Sequence, residues 1–256
     1  MAQHKNCGLY CYAGLSEILK GGCLRPQTLG LAVVTGASKG IGSAVAIVLA
    51  ERGWDLILVA RGKENLEDTA EQCRLHGISA QICCADLSVP SGIVEPLNNL
   101  LDKEKRVHAL INNAGIGLFS PLNESNINDW VSIINTNLTS VFAVTKTVLP
   151  HMFRAGRGHI VNISSDADTV GFCNATAYCA SKAGVAGFSR ALAEELKSRD
   201  IKVTVVSPGR VDTYFNGKHP GDRPGALEAH DVAYAVACAL EAPHRSCWQL
   251  LRIENI

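Results

Sequence analysis

The chain has 256 residues, 47% of them apolar and 19% charged, and its 24 lysines and arginines balance 24 aspartates and glutamates. That composition belongs to a folded chain of one or two domains rather than a disordered one, and a net charge of zero gives no basic excess to hold nucleic acid or an anionic membrane. Wholly apolar runs such as Ala44 to Ala50 are far shorter than the roughly 20 residues of a spanning helix, so neither a nucleic-acid nor a membrane partner is expected.

Residues 1–28 carry no continuous periodicity and close on Arg25-Pro26-Gln27, the pattern of an extension joined to a single domain at 29–256. They lack the apolar region and small-residue cleavage site of a secretory signal. Glu17 is their only acid, which leaves an organelle transit peptide open beside the simpler expectation, a cytoplasmic protein with reduced thiols. Of the ten cysteines, Cys73, Cys83, Cys84, Cys179 and Cys238 fall in apolar or helical stretches, where the thiol acts as a small hydrophobe. Cys7, Cys11 and Cys23 lack the paired CxxC spacing of a zinc site. His76, His108, His151 and His159 are scattered and read as surface or packed residues. No metal is expected.

From residue 29 the pattern changes. Short β-branched runs at 31–35, 56–60, 79–83, 109–112, 159–163 and 202–206 alternate with helical stretches near 41–53, 63–76, 91–104, 126–154 and 176–199. A helix near 229–241 and a strand at 249–253 follow. Buried runs separated by helices spell βαβ units, so the expected fold is α/β, a Rossmann-type doubly wound parallel sheet with helices on both faces.

The first strand runs into Thr35-Gly36-Ala37-Ser38-Lys39-Gly40-Ile41-Gly42, with a helix directly after it. The three glycines supply a tight turn, close approach of backbone to a pyrophosphate, and close packing of helix on strand. The N–H groups at the helix start then face the phosphates. The spacing is GxxxGxG. Three further motifs follow it in order: Asn112-Asn113-Ala114-Gly115 after the fourth strand, Tyr178-Cys179-Ala180-Ser181-Lys182 opening a helix, and Pro208-Gly209 after the sixth strand. Together these residues resemble the short-chain dehydrogenase/reductase family over about residues 30–253.

Tyr178 and Lys182 are four apart and share a helix face. An ammonium beside the phenol is expected to lower its pKa toward neutrality. Ser165 closes the strand-like segment 158–165, thirteen positions before Tyr178. The resemblance implies that Tyr178 is the proton donor, that Ser165 stabilises developing oxyanion charge, and that Lys182 binds ribose hydroxyls and tunes Tyr178. It also matches Asn137, with Asn135 as a nearby competitor, to an asparagine that bends its helix and holds a water leading to the lysine. For the cofactor it implies the loop residues Gly36, Ser38, Lys39, Gly40, Ile41 and Gly42, with Asp86 and Leu87 at the adenine. Asn113, Ala114 and Gly115 would lie beside the ribose, and Pro208, Gly209, Val211 and Thr213 around the carboxamide.

The second strand ends at Ala60 rather than the acidic residue of NAD-preferring sites, and Arg61 follows. A guanidinium there, with Lys39 across from it, suits the extra phosphate of NADP(H). The expected activity is NADPH-dependent reduction of a small-molecule ketone or aldehyde. A 3-oxoacyl-thioester reductase, a hydroxysteroid-type dehydrogenase, and a non-enzymatic NADP-sensing regulatory protein are the alternatives. The resemblance further implies a homodimer or homotetramer.

Three features depart from the family pattern. Asp166 and Asp168 stand where relatives carry small neutral residues; they read as solvated loop carboxylates, or, if either faces the cleft, as selectors of a cationic or hydroxyl-bearing substrate. The segment from 213 to 229, the family's substrate lid, is short and polar, and implies an open cleft. Gly117, Leu118, Phe119, Val170, Phe172, Tyr214 and Phe215 are candidates for its apolar wall. The chain also lacks the Gly-Gly ending common among the family's acyl-carrier-protein reductases.

Overall fold

The computed structural model of this chain describes residues 28–104 and 106–256. The extension, with Cys7, Cys11 and Cys23, lies outside the described residues but for position 28.

Six strands, β1 (Gly30–Thr35), β2 (Trp54–Ala60), β3 (Ala80–Cys84), β4 (Ala109–Asn112), β5 (Gly158–Ile163) and β6 (Ile201–Pro208), join a later one, β9 (Leu250–Ile253), in a single sheet. Its order is β3-β2-β1-β4-β5-β6-β9 and every pairing is parallel. A small separate pair, β7 (Val211–Asp212) with β8 (Leu227–Glu228), lies in the segment read as the lid.

The apolar character of the strands follows from cover on both faces. Ala32, Val34, Leu56, Leu58, Ile111 and Val161 point to one side. There they meet α1 (Gly40–Glu51), α2 (Lys63–Arg74) and α7 (Ala229–Glu241) through Val45, Leu49, Leu66, Val232 and Val236. Their neighbours Val33, Ile57, Val59, Leu110, Ile160 and Val203 point to the other side. They pack on α3 (Val94–Glu104), α5 (Ser140–Ala155) and α6 (Thr176–Leu196) through Leu97, Leu101, Val144, Val148 and Leu192. The period-2 alternation of a strand thus feeds two cores.

The helix expected over 126–154 is instead three segments. Asn126 caps α4 (Ile127–Ile134), its side chain accepting from the Asp129 N–H. The chain then loosens into a π turn over Asn135–Thr139 before α5 begins. One extra residue per turn rotates Asn137 toward the sheet, where its amide finds partners that a regular helix would not reach. The helix expected to 199 keeps α-geometry to Leu196 and tightens to a 3-10 turn over Lys197–Arg199, ending at left-handed Asp200. Cys84 is exposed and Cys179 and Cys238 are partly so, which corrects the reading of all five thiols as core groups. His159 is a packed histidine: burial, aided by Lys202, pushes its pKa down to about 4, and Thr204 Oγ1 lies 2.8 Å from its Nε2.

Candidate active site

The sheet order reverses direction between β1 and β4, and a cavity of about 910 Å³ opens there beyond the carboxyl ends of the strands. A parallel sheet diverges at such a point, leaving room that no helix fills. Thr35 ends β1 and organises both rims: its hydroxyl accepts from the N–H of Asn113 at 3.0 Å and of Ala114 at 3.1 Å. The Asn113 amide returns the tie, donating to the Thr35 carbonyl at 3.0 Å.

The glycine loop closes against this frame. Gly36 has φ 65°, a left-handed turn that glycine enters without a Cβ penalty. A Cβ at Gly42 would stand 2.1 Å from the Gly36 carbonyl oxygen, so α1 can start beneath the loop only with glycine there. Backbone and helix start thereby form a cradle that side chains would fill, and it fits a pyrophosphate. Along the rest of the cavity lie Arg61, Asp86 and Leu87 at the ends of β2 and β3, Asn113 to Gly115 after β4, and Pro208, Gly209, Val211 and Thr213 after β6. Ser38, Lys39, Gly40 and Ile41 line it as well, whereas Gly42 lies beneath the surface. The Asp86 carboxyl is turned onto Ser88, whose N–H and hydroxyl both donate to it; the backbone bond chiefly, with Arg61 nearby, holds its pKa below the usual range.

At the other end Ser165, Tyr178 and Lys182 converge on the cavity. Ser165 follows β5 and caps a 3-10 turn over Asp166–Asp168, its hydroxyl oxygen accepting from the Ala167 N–H at 3.3 Å. Tyr178 and Lys182 are one turn apart on α6, with Lys182 Nζ 5.8 Å from the phenol ring centroid and donating to the Ile163 carbonyl at 2.9 Å. The expectation of a lowered tyrosine pKa is corrected here. Burial pushes Tyr178 up to about 12; the neighbouring Ser165 hydroxyl, able to donate to a phenolate, opposes the rise, while Asp166 and Cys179 add to it. Burial likewise lowers Lys182 to about 8 against the pull of Asp168. Loss of solvent from both groups outweighs the ammonium's attraction for a phenolate.

Asn137 is buried and does not line the cavity. Its Oδ1 accepts from the Ile116 N–H at 2.8 Å, and its Nδ2 donates to the Ile116 carbonyl at 2.9 Å and to Ser181 Oγ at 3.1 Å. It therefore pins the strand end behind Gly115. Asn135 has no such reach; its Oδ1 contacts only Thr139 Oγ1, at 3.5 Å, among the described residues. Thr35 and Ser181 stand within the glycine-loop and Tyr178–Lys182 motifs, but the motifs give them no role; Ile116 acts through its backbone and leaves no trace in its side chain.

The two aspartates take different places, and Asp168 is not a solvated loop carboxylate. Asp168 turns inward, its side chain 2% exposed, and pairs with Arg252 of β9 at 3.2 Å and with the Ser207 hydroxyl of β6. Arg252 also donates to Thr169 Oγ1 at 2.9 Å. Asp166 faces the cavity, and its Oδ1 accepts the Ser165 hydroxyl proton at 2.6 Å.

Over them lies the lid. Arg223 gathers it by donating to the carbonyls of Val211, Thr213 and Phe215 at 3.2, 2.9 and 2.7 Å. Phe119 and Phe215 pack on the Tyr178 ring with centroids 5.6 Å away in each case. Gly117, Leu118, Phe172 and Tyr214 complete the wall, whereas Val170 points out of the cavity and is half exposed. Lys39 Nζ sits 5.2 Å over the Tyr214 ring, linking glycine loop to lid. No helix among the described residues is long and apolar enough to cross a membrane, and no cluster of metal-ligating side chains occurs among them.

The family model described as short chain dehydrogenase matches residues 30–223. An uncharacterized oxidoreductase of Staphylococcus epidermidis is 34% identical over 214 residues, 83% of this chain and 91% of that protein. A 3-oxoacyl-(acyl-carrier-protein) reductase of Pseudomonas aeruginosa is 36% identical over 197 residues, 77% and 80% of the two chains. Among solved structures, an alcohol dehydrogenase of Thermococcus sibiricus complexed with 5-hydroxy-NADP superposes with a TM-score of 0.83 at 30% identity, covering 89% of this chain and 97% of its own.

Proposed function

The chain belongs to the short chain dehydrogenase family of oxidoreductases, and from that membership we propose that it is an NADPH-dependent reductase of ketones or aldehydes. One observation carries the reading: a hydroxyl, a protonated phenol and a buried ammonium meet at one end of a cavity whose other end presents Lys39 and Arg61.

The bound cofactor supplies the hydride. Tyr178, with its pKa pushed up to about 12, holds its proton at neutral pH and gives it to the carbonyl oxygen as the alcohol forms. The Ser165 hydroxyl donates to that same oxygen and stabilises the charge that develops on it. Lys182, still largely protonated at pH 7, keeps a positive charge beneath the phenol and would bind ribose hydroxyls. Asn137 is a positioning residue, acting through Ile116. The loop from Gly36 to Gly42 would hold the pyrophosphate, Lys39 and Arg61 the adenosine phosphate, Asp86 and Leu87 the adenine, Asn113 to Gly115 the ribose, and Pro208 to Thr213 the carboxamide.

The test is NADPH and NADH oxidation over a panel of ketones, aldehydes, quinones and acetoacetyl thioesters. Tyr178→Phe should lower kcat at least ~10²-fold with cofactor binding retained; near-normal turnover would overturn the assignment. The Pseudomonas relative supports a second reading, a 3-oxoacyl-thioester reductase. Acetoacetyl thioester outpacing every simple ketone would favour it. Cofactor binding without turnover of any carbonyl would favour a regulatory sensor.

A further inference from the structure

Ser165 has a single hydroxyl proton, and in this structure that proton goes to Asp166, whose Oδ1 lies 2.6 Å from the serine oxygen. The proposed reaction needs it elsewhere, on the carbonyl oxygen between Ser165 and Tyr178. When Ser165 turns to the substrate, Asp166 loses the one hydrogen bond its carboxylate accepts among the described residues. It does so in the wall of the cavity, beside the developing negative charge. A simple ketone leaves that carboxylate to water and places an incipient alkoxide near it. A substrate that brings its own donor restores the bond.

Resting on the reductase reading, we propose that Asp166 is a specificity-determining residue that selects carbonyl substrates bearing a hydroxyl group on the adjacent carbon. The carbonyl oxygen takes the Ser165 proton, and the neighbouring hydroxyl donates to Asp166. Two oxygens on adjacent carbons stand about as far apart as Ser165 Oγ and Asp166 Oδ1, so one small substrate reaches both. A hydroxyl is favoured over an ammonium because Lys182 and Arg210 line the same cavity and repel a second cation. Asp168, two positions on, takes no part; it is buried against Arg252.

Hydroxyacetone and methoxyacetone separate the idea from general fit, since they differ in whether the neighbouring oxygen can donate. Wild-type protein should prefer hydroxyacetone in kcat/KM by about ten- to a hundredfold, the span of one hydrogen bond to a charged group. Asp166→Ala should abolish that preference, mainly through KM for hydroxyacetone, and raise turnover of methoxyacetone by freeing the Ser165 proton. Asp166→Asn, which keeps an accepting oxygen without the charge, should fall between. Equal use of the two ketones by wild type, or a preference that survives Asp166→Ala in a variant with unchanged melting temperature, would overturn the proposal. Calorimetric titration of both ketones into protein loaded with oxidised NADP reads the same contact without turnover. If wild type reduces no carbonyl at all, the reductase reading fails, yet the titration still decides the role of Asp166: hydroxyacetone binding no tighter than methoxyacetone, or equally in Asp166→Ala, rules it out.

Discussion

Burial draws the ionisations of Lys182 and Tyr178 apart from neighbouring starting points, 10.5 and 10.0, to about 8 and about 12. Between pH 8 and 10.5 the unfolded chain holds the Lys182 proton while the folded one has released it, a contribution to stability that rises with pH. Burial also pushes the Cys73 and Cys83 thiols from 9.0 up to about 12 and about 11, so above pH 9 the folded chain keeps thiol protons that the unfolded chain loses, and above pH 10 it keeps the Tyr178 proton as well; these contributions fall with pH. Thermal melting of the cofactor-free protein should therefore pass through a maximum near pH ~9. Lys182→Met should flatten the rising limb and Tyr178→Phe should make the fall above pH 10 shallower; a wild-type curve without the rise would mean that the lysine keeps its ordinary pKa. The same two residues mark what is legible at this scale. Their identities, and that of Ser165, stand out as a spacing in the chain. The direction of the tyrosine shift does not, because it depends on how completely Phe119 and Phe215 exclude water from the phenol. Cofactor choice is a residue-level matter too. Ala60→Asp with Arg61→Ile would remove the proposed phosphate contact and introduce a repulsion, so steady-state kinetics should show KM for NADPH raised about five- to a hundredfold with NADH little changed or improved. Equal use of both cofactors by the unaltered protein would sink that reading.

At the level of elements, the site depends on how separate segments are fastened. The turn that follows Ser165 is tied to the sheet by Asp168, which bridges to Ser207 on β6 and Arg252 on β9. Arg252→Met leaves a carboxylate 2% exposed without its cation. Urea denaturation should report a loss of about 2 kcal/mol, less than a wholly buried pair would forfeit because the guanidinium is partly hydrated. Pairing it with Asp168→Asn should recover part of that loss. An unchanged midpoint in the single variant would show that the pair contributes nothing. Such ties join residues 84 positions apart and escape any local pattern. The break within 126–154 escaped for another reason: Asn135, Thr136 and Asn137 are compatible with a helix, and the partners that hold Asn137 out of α-geometry, Ile116 after β4 and Ser181 on α6, are distant in the chain.

For the whole molecule, alternating strands and helices made the doubly wound sheet legible, since each strand buried on both faces must be apolar throughout and each turn must be punctuated by glycine or a polar residue. Sheet order is a different kind of information. The Asn112 motif reaches the glycine loop only because β4 lies directly beside β1, and nothing near either strand in the chain encodes that adjacency. The extension belongs to this scale as well. Deleting residues 1–25 should leave melting temperature and turnover within error of the full chain, as a segment without a packing pattern requires. A truncated protein that unfolds or loses activity would show that the segment docks on the domain or on a partner copy.

The fastening of Asp168 by Arg252 also bears on biosynthesis. A ribosome delivers Ser165, Tyr178 and Lys182 well before it reaches the strand that carries the matching guanidinium, 84 codons beyond Asp168. Until then the nascent sheet ends at β6, with an open edge and an anionic turn beside it. Every proposed reacting group is already made in such an intermediate, yet the loop presenting Ser165 is held by Ser207 alone, without the Arg252 guanidinium. The last fastening of the site is consequently a late event, made only when β9 closes the sheet edge beside β6.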